Sequence, residues 1–470
     1  MSDRTRGMLF YGWIVIIALA AVNMAGYGLR YSFSTFYPFV LKETGWGAVE
    51  VSLAFSLHMW VYGFYTIGIG YLADRWGPRW TIAIFAGIFW PLGFYLSSIA
   101  PNPLIFNIAY GVIASLGSAA VYVPVMGTGG KWFIKKRGLA LGFLSIGVSF
   151  GWMLSSACGA LILAFGWRMA LVYLAIFALV VLWVAPQFVV RSPEDKGLRP
   201  DGERTTRTDG GRSRSRYLFL AAFRDILALT GIFYKPAREL FYESLERPRN
   251  RQDGGRKLGF FARRKASEIT AVDLTYGQSL RTFGFWMIFI LYLICLIGLY
   301  SGLNNGAAIA MLEKGIPKEL VAVSWGLITA FASLVGRFLG GWASDITGRK
   351  FMIYISFVLQ ALGLCLFCWI PQGSVVMYFV ASVVFMFTYG MYVPMIPAIV
   401  ADTCGRPAAA ALFGLITLAA GVGTGFGGLI PAMTWQSMGT FTVGFYIGAI
   451  AYIVAIIPAI FVRPAVRKRV

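Results

Sequence analysis

Two arginines stand inside apolar runs of this sequence. Arg337 lies in "FASLVGRFLGGWASDITGRK" (Phe331–Lys350), and Arg30 lies in "GYGLRYSFSTFYPFVL". At the centre of a lone membrane helix an arginine costs at least ~2.5–3.5 kcal/mol. If these runs cross a bilayer, each arginine must face protein or a water-filled cavity. A guanidinium is a planar fork that meets a carboxylate through two parallel hydrogen bonds. Arg337 has small neighbours at i−4 and i+4, Ser333 and Gly341. No acid falls in the interior of any apolar run: Asp74, Asp345 and Asp402 sit at one set of run ends, and Glu43, Glu50, Glu313 and Glu319 at the other. The chemistry therefore fits a visiting anion. The competing readings are a bond from Arg337 to helix-end carbonyls and, for Arg30, a side chain that snorkels outward.

Other polar groups recur at helical spacing. Asn23, Arg30, Ser34 and Tyr37 form one stripe, with Tyr31 beside Arg30. His58, Tyr62 and Thr66 form a second, and Tyr300, Ser301, Asn304 and Asn305 a third. Tyr122 and Tyr392 stand in a repeated "YVP". The candidate binding set is Arg337, Arg30, Tyr31, His58, Tyr122, Asn304 and Tyr392. Against it, a lone histidine is more often a hydrogen-bonding core residue, and "YVP" serves equally as a packing and kinking motif. Cys365 and Cys368 form a C-x-x-C with no second pair or histidine near it, so neither a metal site nor a cofactor is expected. The absence of H-E-x-x-H, of paired interior acids and of a P-loop argues against an enzyme and against a nucleotide-driven pump.

The elements that must position these residues are apolar helices. Of 470 residues, 58% are hydrophobic and 13% charged, about half the charge usual in a soluble protein. Mean hydropathy is +0.70. Runs long enough to cross ~30 Å of hydrocarbon recur throughout. They predict twelve spans, roughly 11–41, 47–73, 78–99, 103–130, 138–164, 167–190, 282–311, 319–345, 350–370, 375–402, 407–433 and 439–462. The first resembles a signal peptide but continues too far, so it is read as an uncleaved span. The net charge of +21 would point to nucleic acid in a soluble chain. Here 35 of the 41 Lys and Arg fall on one face of the predicted topology, Lys42, Arg168, Lys314 and Lys318 on the other, and Arg30 and Arg337 inside spans. That bias places both termini in the cytoplasm of a cell-membrane protein, with no nucleic-acid partner.

The chain also repeats itself. "GYLADRWGPR" (Gly70–Arg79) returns as "GWASDITGRK" (Gly341–Lys350), and "VYVPVMG" as "MYVPMIP", at offsets of 271 and 270. This divides the chain into an N-terminal six-helix unit (1–190), a C-terminal one (282–470) and a linker (191–281) with 20 basic and 12 acidic residues. Within the linker, "YLFLAAFRDILALTGIFY" carries Arg224 and Asp225 mid-run, which makes it a poor span. It is expected to lie as an interfacial helix on anionic lipid head groups.

The doubled "G-x-x-x-D-x-x-G-x-R" resembles the signature of the major facilitator superfamily. The segments "KWFIKKRGLALGFLSIGVSFG" and "FYGWIV" are similar to the monocarboxylate transporters and to oxalate–formate antiporters within it. The resemblance implies an all-α fold of twelve transmembrane helices in two pseudo-symmetric bundles, with substrate bound between them. It implies gating by Gly70, Asp74, Arg79, Gly341 and Asp345. Asp74 would face the start of span 11 near Pro407, and Asp345 the start of span 5 near Gly138, each carboxylate stabilised by a helix N-terminus. Ser333 and Thr35 replace an acid and a lysine of the animal relatives, and span 11 lacks the lysine of the oxalate carrier. The expected function is secondary transport of small organic anions by a monomer, as anion exchange or as proton symport through His58. The rivals are a facilitator for a drug or sugar and a transporter-like sensor.

Overall fold

The structure, a computed structural model, describes residues 11–133, 137–198, 274–405 and 409–463. A backbone that crosses hydrocarbon must satisfy its own polar groups, so the apolar runs fold as helices. These are α1 (Tyr11–Thr44), α2 (Ala48–Trp76), α3 (Pro78–Ser98), α4 (Pro103–Gly129), α5 and α6 (together Arg137–Val184), α7 (Phe283–Glu313), α8 (Lys318–Thr347), α9 (Arg349–Cys368), α10 (Val375–Cys404), α11 (Ala409–Met438) and α12 (Thr442–Phe461). Local signals set several starts. Pro78 and Pro103 occupy first helical positions, where a missing N–H costs nothing. Asn102 and Thr282 cap α4 and α7 by accepting from the Ile105 N–H (3.0 Å) and the Phe285 N–H (3.3 Å). Gly77 and Gly348, matched members of the repeated motif, turn the chain at φ +88° and +97°, a region that favours glycine.

The 48 residues Arg137–Val184 would measure about 72 Å as one straight helix, far more than a bilayer. Gly166, at φ +80°, breaks them into α5 and α6. α5 climbs beside α1 in the same direction: Asn23 Nδ2 donates to the Leu144 carbonyl (3.1 Å), and Ser155 Oγ to the Tyr31 carbonyl (3.3 Å). α6 then returns, and the Phe188 carbonyl accepts from the Tyr11 hydroxyl (3.1 Å) at the start of α1. Ten stretches are long and apolar enough to span a membrane. One of them, Ile146–Phe188, contains this reversal, and α2 packs among the others, which accords with twelve crossings.

Within the first six helices α1 packs on α4 and α5, and α3 on α6. Within the last six α7 packs on α11 and α12, and α9 on α10 and α12. Two seams join the sets, α2 along α11 and α5 along α8. The end carrying the α2–α3 and α8–α9 turns is here the motif end; the other is the far end. Small residues close both seams at the far end. Ser52 Oγ donates to the Gly428 carbonyl (2.8 Å), Ser56 Oγ to the Gly425 carbonyl (2.7 Å), and the Val49 N–H to Gln436 Oε1 (2.9 Å). Gly159 lies against the Ala322 carbonyl and Gly326 against that of Trp152, too close for a Cβ. Also at this end, Glu313 accepts from the Phe441 N–H (2.6 Å) and the Thr440 hydroxyl (3.1 Å), fastening α7 to the start of α12. The interfacial helix expected within the linker lies outside the described residues.

Candidate functional site

A cavity of about 400 Å³ lies between the two sets of helices, from mid-span toward the motif end. Arg30 of α1 and Arg337 of α8 are on its wall, one from each set, and no carboxylate or lysine lines it among the described residues. Seven tyrosines do: Tyr27, Tyr31, Tyr62, Tyr122, Tyr292, Tyr300 and Tyr389.

Arg30 is 7% exposed and turns inward rather than snorkelling. Its Cζ lies 4.4 Å from the centre of the Tyr62 ring and 5.3 Å from that of Tyr27. Such contacts attract a desolvated cation by about 2 kcal/mol or more. Its Nη2 donates to Ser118 Oγ. Arg337 reaches across the α5–α8 seam, where its Nη1 donates to Ser149 Oγ at 3.0 Å. Its Cζ is 5.9 Å from the centre of the Tyr389 ring. The Tyr389 hydroxyl lies 3.5 Å from that of Tyr31, whose ring stacks on Trp152 at 3.8 Å. The aromatic wall therefore runs unbroken between the two guanidiniums.

Of the candidate set, Arg30, Tyr31, Tyr122 and Arg337 come together on this wall, and three others do not. His58 is fully buried on the opposite side of α2. Its Nδ1 pairs with the Tyr110 carbonyl at 3.0 Å, and its ring packs 5.2 Å from that of Tyr110. Asn304 lies in the far-end seal beneath Gly428, next to Asn305, whose Nδ2 donates to the Gly428 carbonyl (3.2 Å). Tyr392 points into the last six helices, with its hydroxyl 3.2 Å from that of Tyr452. It parts from its repeat partner Tyr122 because α10 is broken at Val393–Pro394, whereas α4 runs helically through Pro124. Proline has no N–H and crowds the carbonyl four residues back. Tyr389, one turn earlier, reaches the cavity instead. The α1 stripe also disperses: Asn23 bonds to α5, Ser34 accepts from Trp325 Nε1 (3.2 Å), and the Tyr37 hydroxyl donates to the Ala48 carbonyl (3.4 Å).

Sequence reasoning missed Tyr27, Tyr292 and Tyr389. A signal for two of them was present, since Tyr27 stands three residues before Arg30 and Tyr292 two turns before Tyr300. At the motif end, Asp74 and Asp345 occupy the last turns of α2 and α8. Residues 406–408, with Pro407, lie outside the described residues. Gly70 faces Val123 on α4, and a methyl group at Gly341 would meet no atom within 4 Å. Arg79 Nε donates to Gln187 Oε1 at 3.0 Å, which ties α3 to the end of α6 within one set. Its repeat partner Arg349 forms an ion pair with Asp402.

The sequence pattern of the Major Facilitator Superfamily matches residues 16–250 and 323–470. The chain belongs to the major facilitator superfamily. It is thus a multi-pass membrane transporter of small molecules and not an enzyme. Among facilitator relatives, human monocarboxylate transporter 11 is 30% identical over 170 residues, 36% of each chain. The oxalate:formate antiporter of Oxalobacter formigenes is 22% identical over 478 residues, covering all of this chain and 96% of that one. The match to the monocarboxylate transporter thus spans about a third of its length, and the match to the antiporter nearly all of it. Among solved facilitators, an inward-facing, occupied bacterial homologue of the human lysosomal transporter Spinster superposes with a TM-score of 0.65 at 13% identity, over 97% of this chain and 96% of that one. The partially occluded, inward-open xylose transporter XylE of E. coli gives 0.63 at 12%, over 95% and 98%. At such identities the likeness is one of fold.

Proposed function

We propose that this facilitator carries small organic anions, mono- or short dicarboxylates, by alternating access across the cell membrane, with both termini in the cytoplasm. The observation that carries the reading is the pair of guanidiniums, one from each set of helices, on a wall with no carboxylate among the described residues. An anion between them interacts with both sets at once, so its binding is felt by the seams. The names of the monocarboxylate and oxalate:formate relatives add support. On this reading the motif end is cytoplasmic and the sealed far end external. The six-helix units 1–190 and 282–470 rock about the cavity in a monomer, and the basic linker 191–281 rests on anionic lipid. Gly70, Asp74, Gly341 and Asp345 close the cytoplasmic side in the alternate state, with Arg79 bracing α3 on α6. His58, buried and outside the cavity, is badly placed to carry a proton, which favours exchange over symport.

The test is counterflow in proteoliposomes preloaded with unlabelled acid. A panel of labelled mono- and dicarboxylates should include at least one that accumulates through the wild type and not through Arg337→Ala. Accumulation of labelled xylose in place of every acid would overturn the reading.

A further inference from the structure

The cavity wall has a feature that anion binding alone does not require. A site built only for a compact oxyanion needs small donors around its cations. The small polar residues nearby are committed elsewhere: Ser52 and Ser56 seal the far end, Ser34 receives Trp325, and Thr35 shares a hydrogen bond with Ser155 (2.7 Å). The wall is left to phenol rings, and several of these already serve the arginines. Tyr27 and Tyr62 flank Arg30, and Tyr389 lies under Arg337. Tyr122 and Tyr292 serve neither. Tyr292 meets no other ring or cation among the described residues, and Tyr122 meets one ring, Tyr27, edge-to-face at 6.1 Å and 82°. They stand on α4 and α7, one from each set of helices, on the wall of the same cavity as the guanidiniums.

We propose that this cavity selects carboxylates with an aromatic body, the acid group on a guanidinium and the ring against Tyr122 and Tyr292. This rests on the organic-anion reading above and narrows it. Three physical points support it. Aromatic pairs gain from offset or edge-to-face contact beyond the area they bury. The volume of about 400 Å³ equals the share of roughly thirteen waters at ~30 Å³ each, so an acid of two or three carbons leaves most of the wall wet. A ring held by one tyrosine from each set touches both units, as the carboxylate does, so the body of the substrate also reports on closure.

The discriminating ligands are benzoate and cyclohexanecarboxylate, which share a carbon count and a charge and differ in the π face. Acetate and lactate serve as small controls. Binding to the purified full-length protein is measured by calorimetry at pH 7.5. Benzoate should bind about three- to tenfold more tightly than cyclohexanecarboxylate, the range set by a single ring contact. Tyr122→Leu and Tyr292→Leu should each reduce that ratio toward one, while Tyr292→Phe, which keeps the ring, should retain it and guards against a folding defect. Equal binding of the two cyclic acids, or a ratio unchanged in both leucine variants, overturns the aromatic proposal. Acetate or lactate binding as tightly as benzoate overturns it too and leaves the carboxylate reading intact. Binding of none of the four acids, or binding indifferent to Arg337→Ala, removes both.

Discussion

Arg337 is a cation that reaches over a seam: its guanidinium touches Ser149 on one set of helices while its backbone belongs to the other. A carboxylate arriving there would take a two-pronged bond that lysine cannot copy. Arg337→Lys is expected to reduce counterflow by roughly ten- to a hundredfold, the worth of a charge-assisted hydrogen bond. Near-normal flux at equal expression would show that position to need charge alone. His58 has the opposite character. Its bond to the Tyr110 carbonyl, in a fully buried setting, makes it part of the core of the first six helices. His58→Ala should lower the unfolding midpoint, by an amount corresponding to about 1–3 kcal/mol for the carbonyl left unpaired. It should leave the pH profile of transport unchanged. A flattened profile in a protein of wild-type stability would restore the histidine as a proton carrier.

Among the helices, the seams decide which side is shut. α5 and α8 approach at the far end because Gly159 and Gly326 leave no side chain between them and the facing carbonyls. Gly326→Ala wedges them apart, since overpacking a tight contact costs typically 1–3 kcal/mol. That cost falls on the state in which this seam is closed and shifts the population toward the state open at the far end. With Leu299→Cys as a cavity reporter in a background lacking native cysteines, an impermeant maleimide added from the far side should label the Gly326→Ala protein faster. Unchanged labelling would mean that the seam yields without opening. The motif end is argued by symmetry. If Asp74 braces the closed state through the start of α11, Asp74→Asn should raise labelling of the same reporter from the motif side. Equal rates would reduce Asp74 to a topological role.

At the scale of the whole molecule, the empty cavity presents two guanidiniums and no carboxylate among the described residues. Reorienting it empty would require both cations to be enclosed without a counter-ion, which is costly in a low-dielectric setting. Exchange should therefore be fast and net flux slow. Liposomes without internal acid should show little uptake at any imposed pH gradient, and the same liposomes preloaded with acid should show strong uptake. Robust uptake into empty vesicles driven by an inward proton gradient would overturn the exchange reading.

The sequence alone determined the class of fold. Hydrophobic run lengths, the doubled Gly70–Arg79 and Gly341–Lys350 motifs and their matched turn glycines depend on local period and spacing, which a linear string carries in full. It also marked Arg30 and Arg337, because a charge in an apolar run stands out whatever surrounds it. The tertiary structure alone decided which polar groups share a cavity. A helical stripe states which residues lie on one face and not which neighbour that face meets. Ser34, Ser52, Asn304 and His58 were therefore indistinguishable in type from cavity residues until seam and core packing claimed them. Tyr392 and Tyr389 exchanged places for a related reason. The break at Val393–Pro394 alters the register of α10, and a repeat that is symmetric in sequence becomes asymmetric in space.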